Sequence, residues 1–158
     1  MITINTRIMQ KRDKPALMRI LRATPEFKPP EVAVAEEVID SYLQLPNSYR
    51  ISVAEMDSEI AGYVCYGQTP LTQSTWDMYW LVVAGGKQGQ GIGGALMRYA
   101  EKDIADSGGR LIIIETSSQP LYEKTRHFYV RHGYETVCRI ANFYAPGDDK
   151  IILQKRLS

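Results

Sequence analysis

"KQGQGIGGALM", residues 87–97, is the stretch on which the reading of this chain turns. Gly89, Gly91 and Gly94 meet the G-x-G-x-x-G spacing of a dinucleotide-binding turn. Gln88 to Gly93 also read as Q-x-x-G-x-G, a different loop that wraps a pyrophosphate. Both readings rest on one physical basis: backbone N–H groups of a glycine-rich turn, at the positive end of a helix, are offered to an anion. A Walker A loop is excluded, because no G-K-[ST] occurs anywhere in the chain.

The flanking elements decide between the two. "ITINTRIM" (2–9) alternates like a strand, and "KPALMRILRAT" (14–24) spaces Leu17, Ile20 and Leu21 as a helix does. "PEFKPP" breaks that helix, and Pro30 suits the first turn of another, 31–45, with Val34, Val38, Tyr42 and Leu45 on one stripe. Strands follow at 49–56 and 59–67, joined by Asp57 and Ser58 in a tight hairpin, and then at 76–83. After the glycine loop comes a helix at 93–107, with Leu96, Tyr99, Ala100 and Ile104 inward and Gly108 and Gly109 ending it. A buried strand at 110–117, a helix at 121–133 ending on Gly133, and two strands joined through "APGDD" complete the chain.

The order is βααβββαβαββ, an α/β fold of the α+β type with a mixed, mostly antiparallel seven-stranded sheet. A doubly wound dinucleotide domain puts its glycine turn after the first strand and continues in βα units, whereas here four strands precede the loop. Glu115, about 20 residues after Gly94, does match the acid such a domain uses, but the sheet that would hold the dinucleotide is missing.

Composition narrows the partners. A chain of 158 residues is the usual size of one domain, and no internal repeat or linker divides residues 1–158. A net charge of +1 gives no field that selects nucleic acid or a membrane surface. No apolar run reaches the ~20 residues of a membrane span, and a cytoplasmic protein is expected. Cys65 and Cys138 each lie in an apolar stretch, form no C-x-x-C pair and read as reduced core thiols. No cluster has metal-ligand spacing, so no metal is expected. His127 and His132 read as helix surface, and "KRDK" (11–14) as a solvated helix start.

With these pieces in place, the chain resembles the GNAT superfamily of N-acetyltransferases. Val83 lies five residues before Gln88, as in the family's V-x-x-x-x-[QR]-x-x-G-x-[GA] pattern, and "FYVRHGY" (128–134) is similar to its F-Y-x-x-x-G-[FY] segment. The resemblance implies one GNAT-like domain whose sheet is splayed between its fourth and fifth strands to admit acetyl-coenzyme A. It implies coenzyme contacts along Gln88, Gly89, Gln90, Gly91, Ile92, Gly93 and Gly94, a carbonyl-polarising backbone N–H at Val82 or Val83, and a further contact at Tyr122. Where family members often carry Asn and Ala, this chain has Tyr122 and Thr125. Lys87 and Arg126 are candidate phosphate contacts.

Acyl transfer from a thioester to an amine needs a neutral amine, a polarised carbonyl and a proton for the leaving thiolate. Tyr129 is the candidate proton donor, since a phenol with a pKa near ~10 is protonated at neutral pH. Helical spacing puts Tyr122, Thr125, Tyr129 and His132 along one face. Asp77 and Glu115 compete as the base, acting directly or through water, and either attracts an ammonium. The 24–31 loop with Phe27, together with Tyr79 beside Asp77, is expected to line the acceptor site. The function expected is direct acetyl transfer in a ternary complex to a small cationic amine or amino acid. A protein N-terminus or lysine as acceptor, and a non-catalytic acyl-coenzyme-A-binding module, stand as alternatives. A sheet-extending or strand-exchanging homodimer is common in the family.

Overall fold

Four of the expected strands precede the glycine loop and three follow it in the computed structural model, which describes residues 2–45 and 47–158. The strands are β1 (Ile4–Ile8), β2 (Arg50–Met56), β3 (Glu59–Gln68), β4 (Thr75–Val83), β5 (Leu111–Ser117), β6 (Glu135–Ala145) and β7 (Asp148–Arg156). The helices are α1 (Lys14–Ala23), α2 (Pro29–Gln44), α3 (Ile92–Asp106) and α4 (Glu123–Arg131). One seven-stranded sheet runs β1-β2-β3-β4-β5-β7-β6. Backbone contacts divide the chain into two units, Met1–Gly67 with Trp80–Asp103, and Gln68–Tyr79 with Ile104–Ser158.

In the first unit, the β2–β3 hairpin turns on Asp57 and Ser58 with φ of 54° and 66°, the left-handed pair that a two-residue turn requires. Pro29 and Pro30 occupy the first turn of α2, where a missing N–H costs nothing, so the helix starts two residues earlier than the sequence suggested. Leu17, Ile20 and Leu21 of α1 are buried as expected, against Ile51, Val53, Tyr63 and Cys65 of β2 and β3. The α2 stripe is rotated by one residue. Ala35 and Ile39 are buried, Val38 and Tyr42 flank them, and Val34 and Leu45 face solvent. Small Ala35 lets α2 approach closely, which an apolar count centred on larger residues overlooks.

β1 is fixed by charge as well as by its ladder with β2. The Arg7 guanidinium donates to both carboxylate oxygens of Asp13 at 2.8 and 2.9 Å and to Glu55 Oε1 at 2.7 Å. Asp13, buried, also accepts the Gln10 N–H at 2.8 Å. Asp13 is thus the anchor of a charge cluster, and its neighbour Lys14 pairs with Asp40 of α2. In the "KRDK" segment Lys11 and Arg12 are exposed, as a solvated helix start requires, whereas Asp13 is buried and Lys14 is paired.

In the second unit, β4 and β5 pair in parallel from Thr75↔Leu111 to Met78↔Ile114, and both strands run on beyond that four-residue ladder. The ladder ends at the strand pair where the resemblance implies a splay. β5 pairs antiparallel with β7 and β7 with β6. The final hairpin is tighter than "APGDD" implied: Gly147, at φ 80°, makes the turn, and Asp148 and Asp149 already belong to β7. β6 is exposed along its whole length, so Cys138 is not a core thiol, whereas Cys65 is. As an edge strand, β6 exposes apolar and polar residues alike. No helix among the described residues is long and apolar enough to cross a membrane.

Replacing Arg7 by Met keeps the stem but strands the Asp13 carboxylate. The expected cost is about 3 kcal/mol, as for a broken buried ion pair. Arg7 holds the Asp13 pKa below its usual value. Stability from the pair is therefore fully present above pH ~4 and is lost as pH falls through the folded-state value. Denaturant melts of parent and Arg7→Met at pH 7 and pH 3 check this: the gap between the two proteins should shrink at the lower pH.

Candidate active site

The glycine loop begins where β4 ends. The Ala84 N–H donates to Ala61 O at 2.8 Å, and a single turn of tight helix, Gly85–Lys87, is closed by the Lys87 N–H on Ala84 O at 2.8 Å. Opposite, Gly62 permits a close approach: a Cβ there would sit 2.5 Å from Val82 O and 3.3 Å from the Val83 Cα. β3 thereby grips the backbone of Val82 and Val83. Past Gln88, the chain takes left-handed conformations at Gly89 (φ 77°) and Gly91 (φ 88°). A Cβ at Gly89 would meet nothing within 4 Å. The glycines are needed for backbone conformation, and the space around Gly89 is left open by the protein itself.

α3 follows at once. Its first helical bond runs from the Ala95 N–H to Gly91 O at 3.0 Å, so the amides of Ile92, Gly93 and Gly94 precede any intrahelical partner. Ile92 turns inward and is buried, while Gln88, Gly89, Gln90 and Gly91 are exposed. The loop presents backbone donors at a helix N-terminus, the geometry suited to a pyrophosphate. Phe27 packs against the core of the same unit beside α1 and α2, which makes it first of all a structural contact.

The second unit carries the titratable candidates. In the parallel ladder Asp77 lies opposite Ile113, and Glu115 follows two residues on, so both acids stand on one face of adjacent strands, about 8 Å apart from strand spacing and rise. Their partners differ. Asp77 accepts the Thr69 hydroxyl at 2.8 Å, with Tyr79 OH at the long limit of 3.5 Å, and makes no ion pair among the described residues. Glu115 is paired with Lys150 Nζ at 2.8 Å, and that ammonium lies 3.9 Å from the centre of the Phe143 ring.

Tyr129 sits on α4, buried, with Phe128 and Tyr134 edge-on at 5.7 and 6.0 Å between ring centres. Its carbonyl accepts the N–H groups of His132 and Tyr134, and Gly133 (φ 91°) turns the chain so that the second reaches it. Burial pushes the phenol pKa up to about 12. Its hydroxyl has no partner among the described residues. It is a protonated donor with an unused proton.

Other candidates have local duties. Tyr122 lies in the tight turn Pro120–Tyr122 that precedes α4. Arg126 donates to Ser117 O at 2.8 Å and Gln119 O at 2.9 Å, bracing the β5–α4 connection. His132 turns Nδ1 onto Phe128 O at 2.9 Å, and His127 is exposed. Sequence reasoning missed Thr69, Phe143 and Lys150. The one signal for Lys150 is its alternation with Ile152 on a strand, which becomes informative only once β7 is known to lie beside β5.

The comparisons agree with this geometry. A family model described as an acetyltransferase (GNAT) domain matches residues 47–136, more than half of the chain. A crystal structure assigned to the GNAT acetyltransferase family, from Desulfovibrio desulfuricans, is 36% identical, with a TM-score of 0.94 over 99% of this chain and 100% of that one. The chain belongs to the GNAT acetyltransferase family, the class of acyl-coenzyme-A-dependent N-acetyltransferases. Two more distant structures share the fold. An aminoglycoside 6'-N-acetyltransferase in complex with coenzyme A is 22% identical, with a TM-score of 0.77 over 96% of each chain. The ribosomal-protein-S18-alanine N-acetyltransferase of Escherichia coli is 18% identical, with a TM-score of 0.77 over 100% of this chain and 95% of that one. No curated protein matches this chain in sequence.

Two outcomes are expected. Gly89→Ala forces a side chain into a left-handed backbone and should cost about 1–2 kcal/mol in a denaturant melt while weakening coenzyme A in calorimetry. Gly86→Ala, at a position with ordinary φ and open space, should leave the melt unchanged. Loss of stability in both variants would show that the loop demands glycine for another reason. Separately, in an ultraviolet titration the phenolate signal lost in Tyr129→Phe should belong to a group titrating near about 12. A signal at the ordinary value near ~10 would contradict the burial.

Proposed function

We propose that this chain transfers the acetyl group of acetyl-coenzyme A directly to the primary amine of a small cationic amine or amino acid. The observation that carries the proposal is Tyr129, a buried phenol with a raised pKa and an unused hydroxyl proton. A phenol held in that state serves as a general acid for a leaving thiolate. The desolvation that raises its pKa also raises the basicity of a thiolate formed in similarly dry surroundings, so the transfer stays matched.

In the proposed reaction the loop Gln88–Gly94 holds the coenzyme pyrophosphate on backbone N–H groups, and a backbone N–H at Val82 or Val83 polarises the thioester carbonyl. The amine nitrogen attacks the carbonyl carbon, a C–N bond forms and the C–S bond breaks. The electron pair of that bond leaves on sulfur, which takes the Tyr129 proton, and the proton lost by the attacking nitrogen replaces it or passes to solvent. Asp77 is the acid best suited to hold the ammonium and take its first proton, because it has no cation of its own, whereas Glu115 already holds Lys150. Tyr79, beside Asp77 and partly exposed, suits contact with the acceptor.

Thiol release from acetyl-coenzyme A with a set of amines, followed by mass gain on the acceptor, tests the reading. Tyr129→Phe keeps the ring and should bind coenzyme A like the parent while kcat falls by roughly 10²–10⁴. Asp77→Asn should lower kcat/KM most at mildly acidic pH, where few amines are free. A parent that binds coenzyme A yet releases no thiol with any amine would make the protein a binding module instead.

A further inference from the structure

We propose that Thr69 is a positioning residue for acetyl transfer: its hydroxyl, held by the turn between β3 and β4, fixes one oxygen of Asp77 and leaves the other to meet the acceptor ammonium. This rests on the acetyl-transfer reading above, with Asp77 as its acid, and goes beyond it by naming what aims that acid.

Charge alone does not single out Asp77 on its face of the sheet. Glu115 is held by Lys150, Asp148 accepts the Ser117 hydroxyl, and Glu135 accepts the Gln154 side-chain amide. What sets Asp77 apart is how its partner is built. Asp77 Oδ2 accepts the Thr69 hydroxyl at 2.8 Å, while the Tyr79 hydroxyl stands off at 3.5 Å from the same oxygen. Oδ1 accepts no hydrogen bond among the described residues.

The turn that carries Thr69 is strained and cross-braced. Thr69, Pro70, Leu71 and Thr72 are closed by the Thr72 N–H on Thr69 O at 3.3 Å, and Leu71, after the proline, is left-handed with φ 65°. A turn of this form usually places glycine there. The Leu71 side chain is fully exposed, so no packing of its own offsets the strain. Hydrogen bonds hold the turn instead. The Thr72 hydroxyl shares its proton between Thr69 O at 2.8 Å and Thr75 O at 3.2 Å, and the Gln68 side-chain amide reaches Thr72 O and Gln73 O at 3.3 Å each. The Thr69 N–H donates to Thr75 O at 2.9 Å. Both backbone polar groups of Thr69 are thus gripped, and its hydroxyl is delivered to Asp77. Strain that a surrounding network over-determines is a mark of positions where geometry matters. A carboxylate tethered by one oxygen presents the other to one place, and a misplacement of about 1 Å can cost roughly 100-fold in rate.

The test is a double-mutant cycle on the acetylation rate with the best acceptor amine, with a denaturant melt and calorimetric binding of coenzyme A beside each variant. Thr69→Val keeps the branched shape and removes the hydroxyl. Its kcat/KM should fall by roughly 10–100-fold, the scale of a hydrogen bond to a charged group, while coenzyme A binds as in the parent. Thr69→Ser restores the donor and should recover the parent rate to within about threefold. In an Asp77→Ala background, where no carboxylate is left to aim, Thr69→Val should change the rate by less than about threefold. Should Thr69→Val fold poorly, Thr69→Ala takes its place in the cycle. An equal loss in both backgrounds, or a Thr69→Val variant as active as the parent, overturns the assignment while Asp77 keeps its role. An Asp77→Ala variant as active as the parent removes Asp77 as the acid and this inference with it, and acetyl transfer stands. A parent that releases no thiol with any amine removes the acetyl-transfer reading, and this inference falls with it.

Discussion

Much in this chain depends on a parallel ladder only four residues long, Thr75–Met78 against Leu111–Ile114. Parallel neighbours cannot be joined by a tight turn, so the chain must leave β4 and cross over before it returns as β5. That crossover is α3, and its start is where the glycine loop has to be. The return is fixed as tightly as the departure. Gly109, just before β5, lies against the Trp76 indole of β4, and a Cβ there would stand 2.7 Å from the ring. The Arg110 N–H then reaches Ser74 O at 2.8 Å, setting the register of the first pair.

What the sequence made legible is what the backbone does. The loop needs left-handed residues at Gly89 and Gly91 and a helix start directly after them, and glycine is the residue that supplies both without strain. Such a requirement leaves a local mark at fixed spacing. The same holds for Gly133, whose left-handed φ follows the α4 segment and lets the Tyr134 amide reach the Tyr129 carbonyl. Element order was equally legible, since alternation and helical periodicity are local properties.

What was not legible depends on which strand neighbours which. Cys138 sits in a run as apolar as the one around Cys65, yet one is exposed and the other buried, because β6 ends the sheet while β3 lies inside it. Periodicity reports alternation along a strand and is silent about whether anything covers the strand. Glu115 likewise looked like a free acid, equal to Asp77, because its partner lies 35 residues away and meets it only through the β5–β7 register. Arg7 and Asp13 repeat the lesson at the other edge of the sheet, where one residue of a segment read as solvated, Asp13, is buried against the Arg7 guanidinium.

This division between backbone and side chain also bears on how one fold serves different acceptors. Structures that share this fold include an aminoglycoside acetyltransferase and a ribosomal-protein acetyltransferase. A loop whose backbone needs left-handed residues constrains few side chains, so it leaves its mark in the sequence as glycines. Asp77, Glu115 and Lys150 are instead side chains set on strands, outside the backbone pairing of the ladders that carry them. A charged residue on a strand answers to its cross-strand neighbours, as Glu115 does to Lys150, so its state is a property of a pair and not of either residue alone.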